Sequence, residues 1–476
     1  DSNATQVARH LRLNLTGSAG GSSNLVVPTL ANGKNYYIKN SSTTAITVKT
    51  ASGTGILVPA GKSASLYQDG TNVVEAADYS SAAYTFASDI TVNGVTVGKG
   101  LASGSMNTAL GVNAMNAITS GNSNTGLGNE ALGAATTGGN NTAVGSFSLG
   151  AAILTGSENT SVGSSALRNT TTGSNNTAVG YLALNTNTTG TQNTAIGDDA
   201  LKDNTTASYN TAVGKNALDA NTTGSPNTAV GWNSLSANTT GGSNTAMGYL
   251  ALALNTTAAN NTAVGREALT ANTEGASNTA VGEAALDANT TGGSNAAVGR
   301  DALGANTTGS FNQAFGRNAL LTNTTGQYNN AFGNDALKVN TASSNSAFGH
   351  AALVANTTGS LNTAVGANAL SSNVSGGDNV AVGNNALTVS TGSRNTALGY
   401  NAMTDTTSGQ DNTAVGFGSL GNNTTASNNT AVGRSALTAN TTGASNTAVG
   451  RESLSANTTA NQNTAVGMYG LRQTTT

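Results

Sequence analysis

One 17-residue phrase, repeated 22 times from Asn107 onward, restricts the folds open to this chain more than any other feature. The phrase reads Asn-Thr-Ala-Val-Gly-x-x-Ala-Leu-x-x-Asn-Thr-Thr-Gly-x-x, and we number its positions from the first Asn. A fixed period of this length is typical of solenoids and fibres, in which each unit buries its apolar residues against its neighbours. The repeat therefore predicts a structural element rather than a catalytic domain.

The composition is that of an ordered chain with little charge. Disordered chains usually combine high net charge with no apolar periodicity, whereas here the net charge is −3 and every copy is apolar at positions 4 and 9. The absence of Cys excludes disulfides and thiolate metal ligands. No apolar run approaches the roughly 18 residues of a membrane-spanning helix, and no basic cluster suits nucleic acid. We therefore expect neither membrane insertion nor a nucleic-acid partner.

The repeat is predicted to form strands and not helices. Gly at position 5, the Thr-Thr-Gly segment and the many β-branched residues are all unfavourable in a helix. Asn-Thr-Ala-Val-Gly alternates like a short strand, and Ala-Leu-x-x-Asn is predicted to form a second one. With glycines at positions 5 and 15 as corners, each copy becomes one rung of two strands. The predicted fold class is all-β, with a long parallel β-solenoid (β-roll or β-helix) shaft.

Stacked rungs place identical residues above one another in columns. We predict that the amides at position 12 hydrogen-bond from rung to rung, as in cross-β ladders. We also predict that Val at position 4 and Leu at position 9 form the core, and that it widens where Phe replaces Val in three successive copies, at Phe315, Phe332 and Phe348. Representative ladder residues are Asn187, Asn204, Asn221, Asn238, Asn255, Asn272, Val213, Val230, Val264, Leu218, Leu235 and Leu269.

A core with two large apolar residues per rung is thin, which suggests that chains associate. The small residues at positions 1, 3 and 5 are predicted to lie on the opposite strand face and to admit another chain. A parallel homotrimer would close such faces around one axis. Whether the chains lie side by side or interweave stays open. At about 4.8 Å per rung, the repeats would span about 100 Å.

The chain is predicted to have three parts. Residues 1–79 lack the repeat and are expected to form a small antiparallel β-domain, either a sandwich or a partial barrel. Residues 80–106 are a junction that contains a hairpin around Asn93-Gly94. Residues 107–476 form the shaft. The strands expected in the first part include Leu25-Val26-Val27, Tyr36-Tyr37-Ile38, Ala45-Ile46-Thr47-Val48, Ile56-Leu57-Val58, Ala64-Ser65-Leu66-Tyr67 and Asn72-Val73-Val74.

Phrases such as Asn141-Thr142-Ala143-Val144-Gly145, followed in most copies by Ala-Leu-x-x-Asn-Thr-Thr-Gly, resemble repeats of bacteriophage tail-fibre proteins. They are more distantly similar to the head repeats of trimeric autotransporter adhesins. The N-terminal Val58-Pro59-Ala60-Gly61-Lys62 also looks like a segment of virion fibre domains. The resemblance implies a homotrimeric tail-fibre shaft used in host attachment, located in the virion or at a cell surface. Its implied partners are virion baseplate or tail proteins and a host surface glycan or protein. Tail fibres of this kind often carry a chaperone domain after such repeats, and whether one belongs here stays open.

Two alternatives stay open beside the tail fibre. One is a bacterial surface adhesin, or an extracellular matrix filament whose units join end to end. The other is a polysaccharide-degrading spike, which would need paired carboxylates. The acidic residues of the repeat occupy the variable corner beside polar or basic neighbours, and neither His10 nor His350 has a recurring partner. We therefore expect no enzyme activity, catalytic residue, cofactor or metal site. The acidic residues considered are Asp198, Asp199, Glu267, Glu283 and Asp301.

Position 17 is a variable column that accepts large side chains in several copies. Tyr209, Phe311, Tyr328 and Leu361 are its candidate contacts with a glycan or a partner protein, although isolated surface aromatics such as Trp232 are normal. The Asn-Thr-Thr segment matches a glycosylation sequon, but its recurrence at the ladder position favours a structural role. Ice binding would need two Thr columns on one strand face, and only position 2 supplies one.

Overall fold

The computed structural model describes residues 11–16, 23–28, 34–68, 72–75, 90–92, 95–99, 106–150 and 152–473. All the regular secondary structure in these ranges is strand, so the all-β prediction is confirmed. No helix that could cross a membrane occurs in them. The chain divides into two compact units, Asp1–Ala87 and Ser88–Thr476. We call the first the N-terminal unit and the second the solenoid unit.

The N-terminal unit contains two sheets that share one core. Tyr36, Ile38 and Leu66 from the first sheet pack with Val48 and Val58 from the second, and all five are buried. The first sheet has the strand order β1-β3-β6-β7 and the second β2-β4-β5. The strands are β1 (Leu11–Leu15), β2 (Ser23–Val26), β3 (Lys34–Asn40), β4 (Ile46–Lys49), β5 (Gly55–Val58), β6 (Ser63–Gln68) and β7 (Val73–Glu75).

The expectation of a purely antiparallel N-terminal domain is wrong. β1 pairs parallel with β3, and β2 pairs parallel with β4. The remaining pairs, β3 with β6, β4 with β5 and β6 with β7, are antiparallel. Parallel neighbours need a crossover connection, and here the chain supplies it by alternating between the two sheets. Each of these parallel pairs is therefore interrupted by one strand of the other sheet.

The solenoid unit begins with a hairpin. β8 (Ile90–Val92) pairs antiparallel with β9 (Val95–Gly98), as the sequence predicted, and its Asn93-Gly94 turn lies outside the described residues. β9 then pairs antiparallel with β10, the strand of the first repeat. Because a sheet edge exposes unpaired backbone groups, this hairpin covers the first edge of the stack.

The repeats form one continuous parallel sheet in which each strand pairs with the next. The paired residues occupy the same position in their copies. Ala212 lies opposite Ala229 and Val213 opposite Val230, for example. The prediction of a stacked solenoid is thus confirmed. The strands are β10 (Thr108–Gly111), β11 (Thr125–Leu127), β12 (Thr142–Val144), β13 (Thr160–Val162), β14 (Thr177–Val179), β15 (Thr194–Ile196), β16 (Thr211–Val213), β17 (Asn227–Val230), β18 (Asn244–Met247), β19 (Thr262–Val264), β20 (Thr279–Val281), β21 (Ala296–Val298), β22 (Gln313–Phe315), β23 (Asn330–Phe332), β24 (Ser346–Phe348), β25 (Thr363–Val365), β26 (Val380–Val382), β27 (Thr396–Leu398), β28 (Thr413–Val415), β29 (Thr430–Val432), β30 (Thr447–Val449) and β31 (Thr464–Val466).

Each rung contains one strand, so the predicted second strand at Ala-Leu-x-x-Asn is wrong. In the copy that starts at Asn210, Asn216 and Leu218 have φ angles of 55° and 52°. This left-handed conformation cannot continue a strand, but the Leu218 N–H still donates to the Ser234 carbonyl of the next rung at 3.0 Å. The left-handed region is especially unfavourable for β-branched residues, which explains why position 9 holds Leu or Met and never Val or Ile.

The strand alternation places Ala, and not Val, in the core. Ala212 at position 3 is fully buried, whereas Val213, Val230 and Val264 are only partly buried. The valines do form a ladder, but the prediction that they pack inside is wrong. Asn210 at position 1 is buried, and since neighbouring strand residues point to opposite faces, positions 2 and 4 must point outward.

The core therefore consists of Ala at positions 3 and 8 and Leu at position 9, with the predicted leucines Leu218, Leu235 and Leu269 fully buried. It follows that positions 1 and 3 do not offer a free face to another chain, which corrects a second expectation. The core also does not widen at the phenylalanines. Phe348 is 41% exposed, while Ala347 beside it is fully buried.

Candidate functional site

The position-12 asparagines form the predicted amide ladder inside the coil. The Asn221 Nδ2 donates to the Asn204 Oδ1 at 3.0 Å and to the Gly224 carbonyl of its own copy at 3.1 Å. The Asn238 Nδ2 donates in turn to the Asn221 Oδ1 at 2.9 Å. The predicted ladder residues are all fully buried: Asn187, Asn204, Asn221, Asn238, Asn255 and Asn272.

The asparagines at position 1 form a second column with a different bonding pattern. The Asn210 Oδ1 accepts the backbone N–H of Asn227 in the next rung at 2.8 Å. The Asn210 Nδ2 donates to the Gly224 carbonyl of its own copy at 3.1 Å. One side chain thus joins two rungs and also ties the start of its copy to position 15. Sequence reasoning missed this role, although the signal was present, because position 1 is Asn in every copy.

The amide ladder explains why the sequons are structural. Asn221 has no exposed side-chain surface, and both its amide groups are hydrogen-bonded. A glycan cannot attach to such an amide in the folded chain. The ladder is interrupted after Asn323 and after Asn373, whose Oδ1 atoms are buried without a hydrogen-bond partner. The rung after Asn373 carries Ser390 at position 12, whereas the rung after Asn323 carries Asn340, whose Nδ2 donates to the Ala342 carbonyl.

The outward side chains of the sheet form what we call the Thr/Val face, which comprises positions 2 and 4 of all 22 copies. Ile196, Met247 and Leu398 on this face are 40%, 44% and 46% exposed. Neither position carries a charged residue in any copy. The threonine column shares the face with an apolar column and not with a second threonine column. The result is an uncharged surface along the described repeats, with an apolar column at position 4.

Charged residues of the repeats lie instead at the turns, where several of them form ion pairs. Asp198 pairs with Lys215 at 3.1 Å, and the Arg266 guanidinium donates to the Glu283 carboxylate. That hydrogen bond lowers the pKa of Glu283 from its ordinary value. These ion pairs lie at the surface, in agreement with the expectation that the acidic residues occupy the variable corner beside basic neighbours. The other acidic residues considered pair as Asp199–Lys202, Glu267–Arg266 and Asp301–Arg300.

Two histidines remain among the sequence candidates. His350 is exposed, and His10 lies outside the described residues. In the described ranges no three His, Asp or Glu side chains are grouped so that they could hold a metal ion.

Asp287 is the one carboxyl group of the described chain whose pKa is raised, and burial is the main cause. The nearby charges of Asp301 and Glu267 add to the effect. A raised carboxyl pKa suits a general acid. Asp301 and Glu267, however, are held by Arg300 and Arg266 at 3.0 Å each, so neither is a free carboxylate base. Sequence reasoning missed Asp287, because nothing in the repeat pattern marks it.

All four position-17 candidates are exposed, as expected of contact residues. Tyr209, Phe311, Tyr328 and Leu361 are 61%, 50%, 56% and 59% exposed. Phe311 and Tyr328 stack on each other, with ring centroids 5.1 Å apart and planes 1° from parallel. This stack was not foreseen, although the two residues occupy the same position in consecutive copies.

Trp232 is also not isolated. Its ring stacks on Tyr249 of the next rung at 5.1 Å, and Tyr400 stacks on Phe417 at 5.5 Å. In each stack the two rings cover one face of each other. A sugar that packs on an aromatic ring needs a free face, so these stacks leave less room for a glycan than separate rings would.

No family model matches the chain, and comparisons with characterised proteins and with solved structures also return no match. The resemblance to tail-fibre and adhesin repeats therefore rests on the repeat phrases themselves.

Proposed function

We propose that this structural repeat protein is the shaft of a homotrimeric phage tail fibre, used in host attachment. The observation that carries the proposal is the Thr/Val face, which stays uncharged through all 22 copies while charged residues occupy the turns. Large exposed apolar patches are rare on monomeric proteins and usually mark an interaction site. A face that repeats with the fold itself suits a partner that repeats in the same way, namely another copy of this chain.

The size of the face supports association along its whole length. With about 4.8 Å per rung the stack is about 100 Å long, and a three-residue strand is about 10 Å wide. The face then offers about 1,000 Å² per chain, above the roughly 800 Å² that each partner buries in a standard interface. A threefold axis parallel to the stack would enclose three such faces. It would also give all chains one direction, so that one end could attach to tail or baseplate proteins.

Under this proposal the exposed position-17 side chains lie outside the trimer core. Tyr209, Phe311, Tyr328 and Leu361 are then available to a host surface glycan or protein. The fibre would be located in the virion.

The oligomeric state tests the proposal directly. Sedimentation equilibrium should give three times the chain mass of 46.5 kDa, or 139.5 kDa. The combined substitutions Val213→Asp, Val230→Asp and Val264→Asp place charges on the Thr/Val face and should yield single chains. A wild-type protein that sediments as a single chain would contradict the proposal.

A matched control separates this effect from general charge repulsion. Thr223, Thr240 and Thr257 lie at position 14 of three successive copies and are exposed. Their combined replacement by Asp should leave the mass at three chains.

Location is tested with antibodies against the chain. Electron microscopy should show antibody bound along fibres of phage particles. Labelling of the surface of uninfected bacteria would instead favour the adhesin alternative.

A further inference from the structure

Three consecutive copies interrupt the Thr/Val face with what we call the Phe step, formed by Phe315, Phe332 and Phe348 at position 4. Their rings stack along the sheet, with centroids 4.7 Å and 4.9 Å apart and planes within 5° and 7° of parallel. Position 4 carries Phe in none of the other copies. The Phe step is therefore a single landmark on an otherwise repetitive surface.

The change affects the outward side chains and leaves the inward ones as they are. Beside the Phe step, position 2 holds Gln313, Asn330 and Ser346 in place of Thr. The inward residues of the same strands, such as Ala314 and Ala331, remain Ala and are fully buried, as in the neighbouring copies. Because the packing inside the coil is the same with Val or Phe outside, the fold of the single chain does not require the Phe step.

Repetition creates a difficulty that the Phe step can resolve. Outside it, position 4 carries Val, Leu, Ile or Met. If one chain slides along another by one rung, about 4.8 Å, an aliphatic side chain again meets an aliphatic side chain at nearly every height. Pairing register is weakly specified wherever a slip restores the same contacts. A parallel assembly of such faces would lack a unique axial alignment.

We propose that the Phe step sets the axial register between copies of this chain. The inference rests on the proposed parallel homo-oligomer, and its partner is a second copy in contact through the Thr/Val face. When the copies are level, each Phe step lies beside the same step of its neighbour. A slip of one rung forces one Phe against space shaped for Val and leaves a gap at the other end. Both overpacking and cavities are unfavourable in close-packed interiors.

A glycan is a less suitable occupant of the same residues. Phe332, in the middle of the step, has a neighbouring ring on each side, so it presents its edge outward and has no free face for a sugar. The step is also continuous with the uncharged Thr/Val face in both chain directions.

The experiment maps which rungs of neighbouring chains lie side by side. The chain has no Cys, so Thr160→Cys, Thr177→Cys and Thr194→Cys each introduce a single thiol on the Thr/Val face. These variants are co-expressed in pairs and oxidised, and the disulfide-linked peptides are identified by mass spectrometry. With the Phe step present, we expect one fixed rung offset between linked residues.

The same mapping is then done with Phe315→Val, Phe332→Val and Phe348→Val combined. This variant should fold, because Val is the usual residue at position 4, and its melting temperature and sedimentation confirm that it does. We expect links displaced by one or more rungs to rise from the background to a fraction similar to the original links. An unchanged single offset would overturn the inference, and so would loss of assembly, since the step would then supply affinity and not register.

A second variant moves the Phe step to another height. Val415→Phe, Val432→Phe and Val449→Phe are added to the variant without the original step. The single offset should return, whereas persistent mixed offsets would overturn the inference. The failure of the two proposals is distinguishable. A wild-type single chain contradicts the proposed function, while an assembled wild type with a step-independent offset contradicts only the register inference.

Discussion

The two units bury very different residues, although both are built from short strands. The N-terminal unit packs large side chains such as Ile38 and Leu66 between two sheets. The solenoid unit packs one Leu or Met per rung among Ala residues and fully buried Asn amides such as Asn221. Burying an amide is costly unless its hydrogen bonds are made, and the next rung supplies them in the same geometry each time. Hydrogen-bonded Asn columns therefore help to fill and stabilise the interior of the solenoid unit, whereas large apolar side chains fill the interior of the N-terminal unit.

The largest loss of stability in the solenoid unit is expected from substitution of a glycine at position 5. Gly231 at position 5 has a φ of 135°, and a Cβ there would overlap the Gly248 carbonyl of the next rung. Gly231→Ala should therefore destabilise the solenoid unit by about 3 kcal/mol or more. Chemical denaturation measures the change.

Gly224→Ala at position 15 of the preceding copy is the matched control. A Cβ there would also meet the carbonyl of the next rung, at Gly241, but Gly224 does not have a positive φ, and Ala207 and Ala258 occupy position 15 in nearby copies. It should cost much less. If both substitutions lowered the free energy of unfolding by the same amount, the positive φ of Gly231 would not be the cause of its loss.

A substitution in the core of the N-terminal unit tests how much its large apolar side chains contribute to stability. Ile38 is fully buried between the sheets, so Ile38→Ala should destabilise the N-terminal unit by about 3 kcal/mol through lost burial and a residual cavity. Calorimetry should show the transition of this unit at a lower temperature and the solenoid transition unchanged. Leu57→Ala is the control, since Leu57 is 59% exposed, and it should have little effect. A shift of both transitions would mean that the units do not unfold independently.

Replacing a buried amide of the solenoid unit by a carboxyl group should make the stability of that unit depend on pH. Asn221→Asp places a carboxyl group where no cation lies among its hydrogen-bond partners, so burial should raise its folded-state pKa above the unfolded value of about 3.9. The variant should therefore lose stability as the pH rises above about 4, by about 2–3 kcal/mol at neutral pH. Denaturation curves at several pH values measure this loss. Asn384→Asp, at an exposed position, should show almost no pH dependence, and a similar pH dependence in both variants would contradict the role of burial.

The smallest change in stability is expected from adding one more Asn to the position-12 amide ladder. The Asn423 Nδ2 lies 3.5 Å from the Thr406 Oγ1, whereas the Asn440 Nδ2 reaches the Asn423 Oδ1 at 3.0 Å. Thr406→Asn should restore a full amide contact and stabilise the solenoid unit by about 0.5–1 kcal/mol. Ser408→Asn, at an exposed neighbouring position, should be neutral. If Thr406→Asn were destabilising, the ladder would depend on more than amide continuity.

Much of the solenoid could be predicted from the repeat. The period of the copies determined the stacked rungs, because identical residues at a fixed spacing can satisfy one another only in register. The invariance of Leu or Met at position 9 and the run of Asn at position 12 located a buried leucine and an amide ladder, and Leu218 and Asn221 are indeed fully buried. The Asn-Gly pair identified the hairpin formed by β8 and β9.

Only the tertiary structure decided which face of each strand points into the solenoid. Alternation shows that Thr211 and Val213 lie on one side and Asn210 and Ala212 on the other, but it does not say which side is inside. The answer depends on the Gly224 carbonyl, 14 residues away along the chain, which accepts the Asn210 amide only once the coil has closed. The Asn210 side chain finds both of its partners, the Gly224 carbonyl and the Asn227 N–H, only inside the closed solenoid. Asn210 and Ala212 therefore lie inside, and the valines form the outer surface.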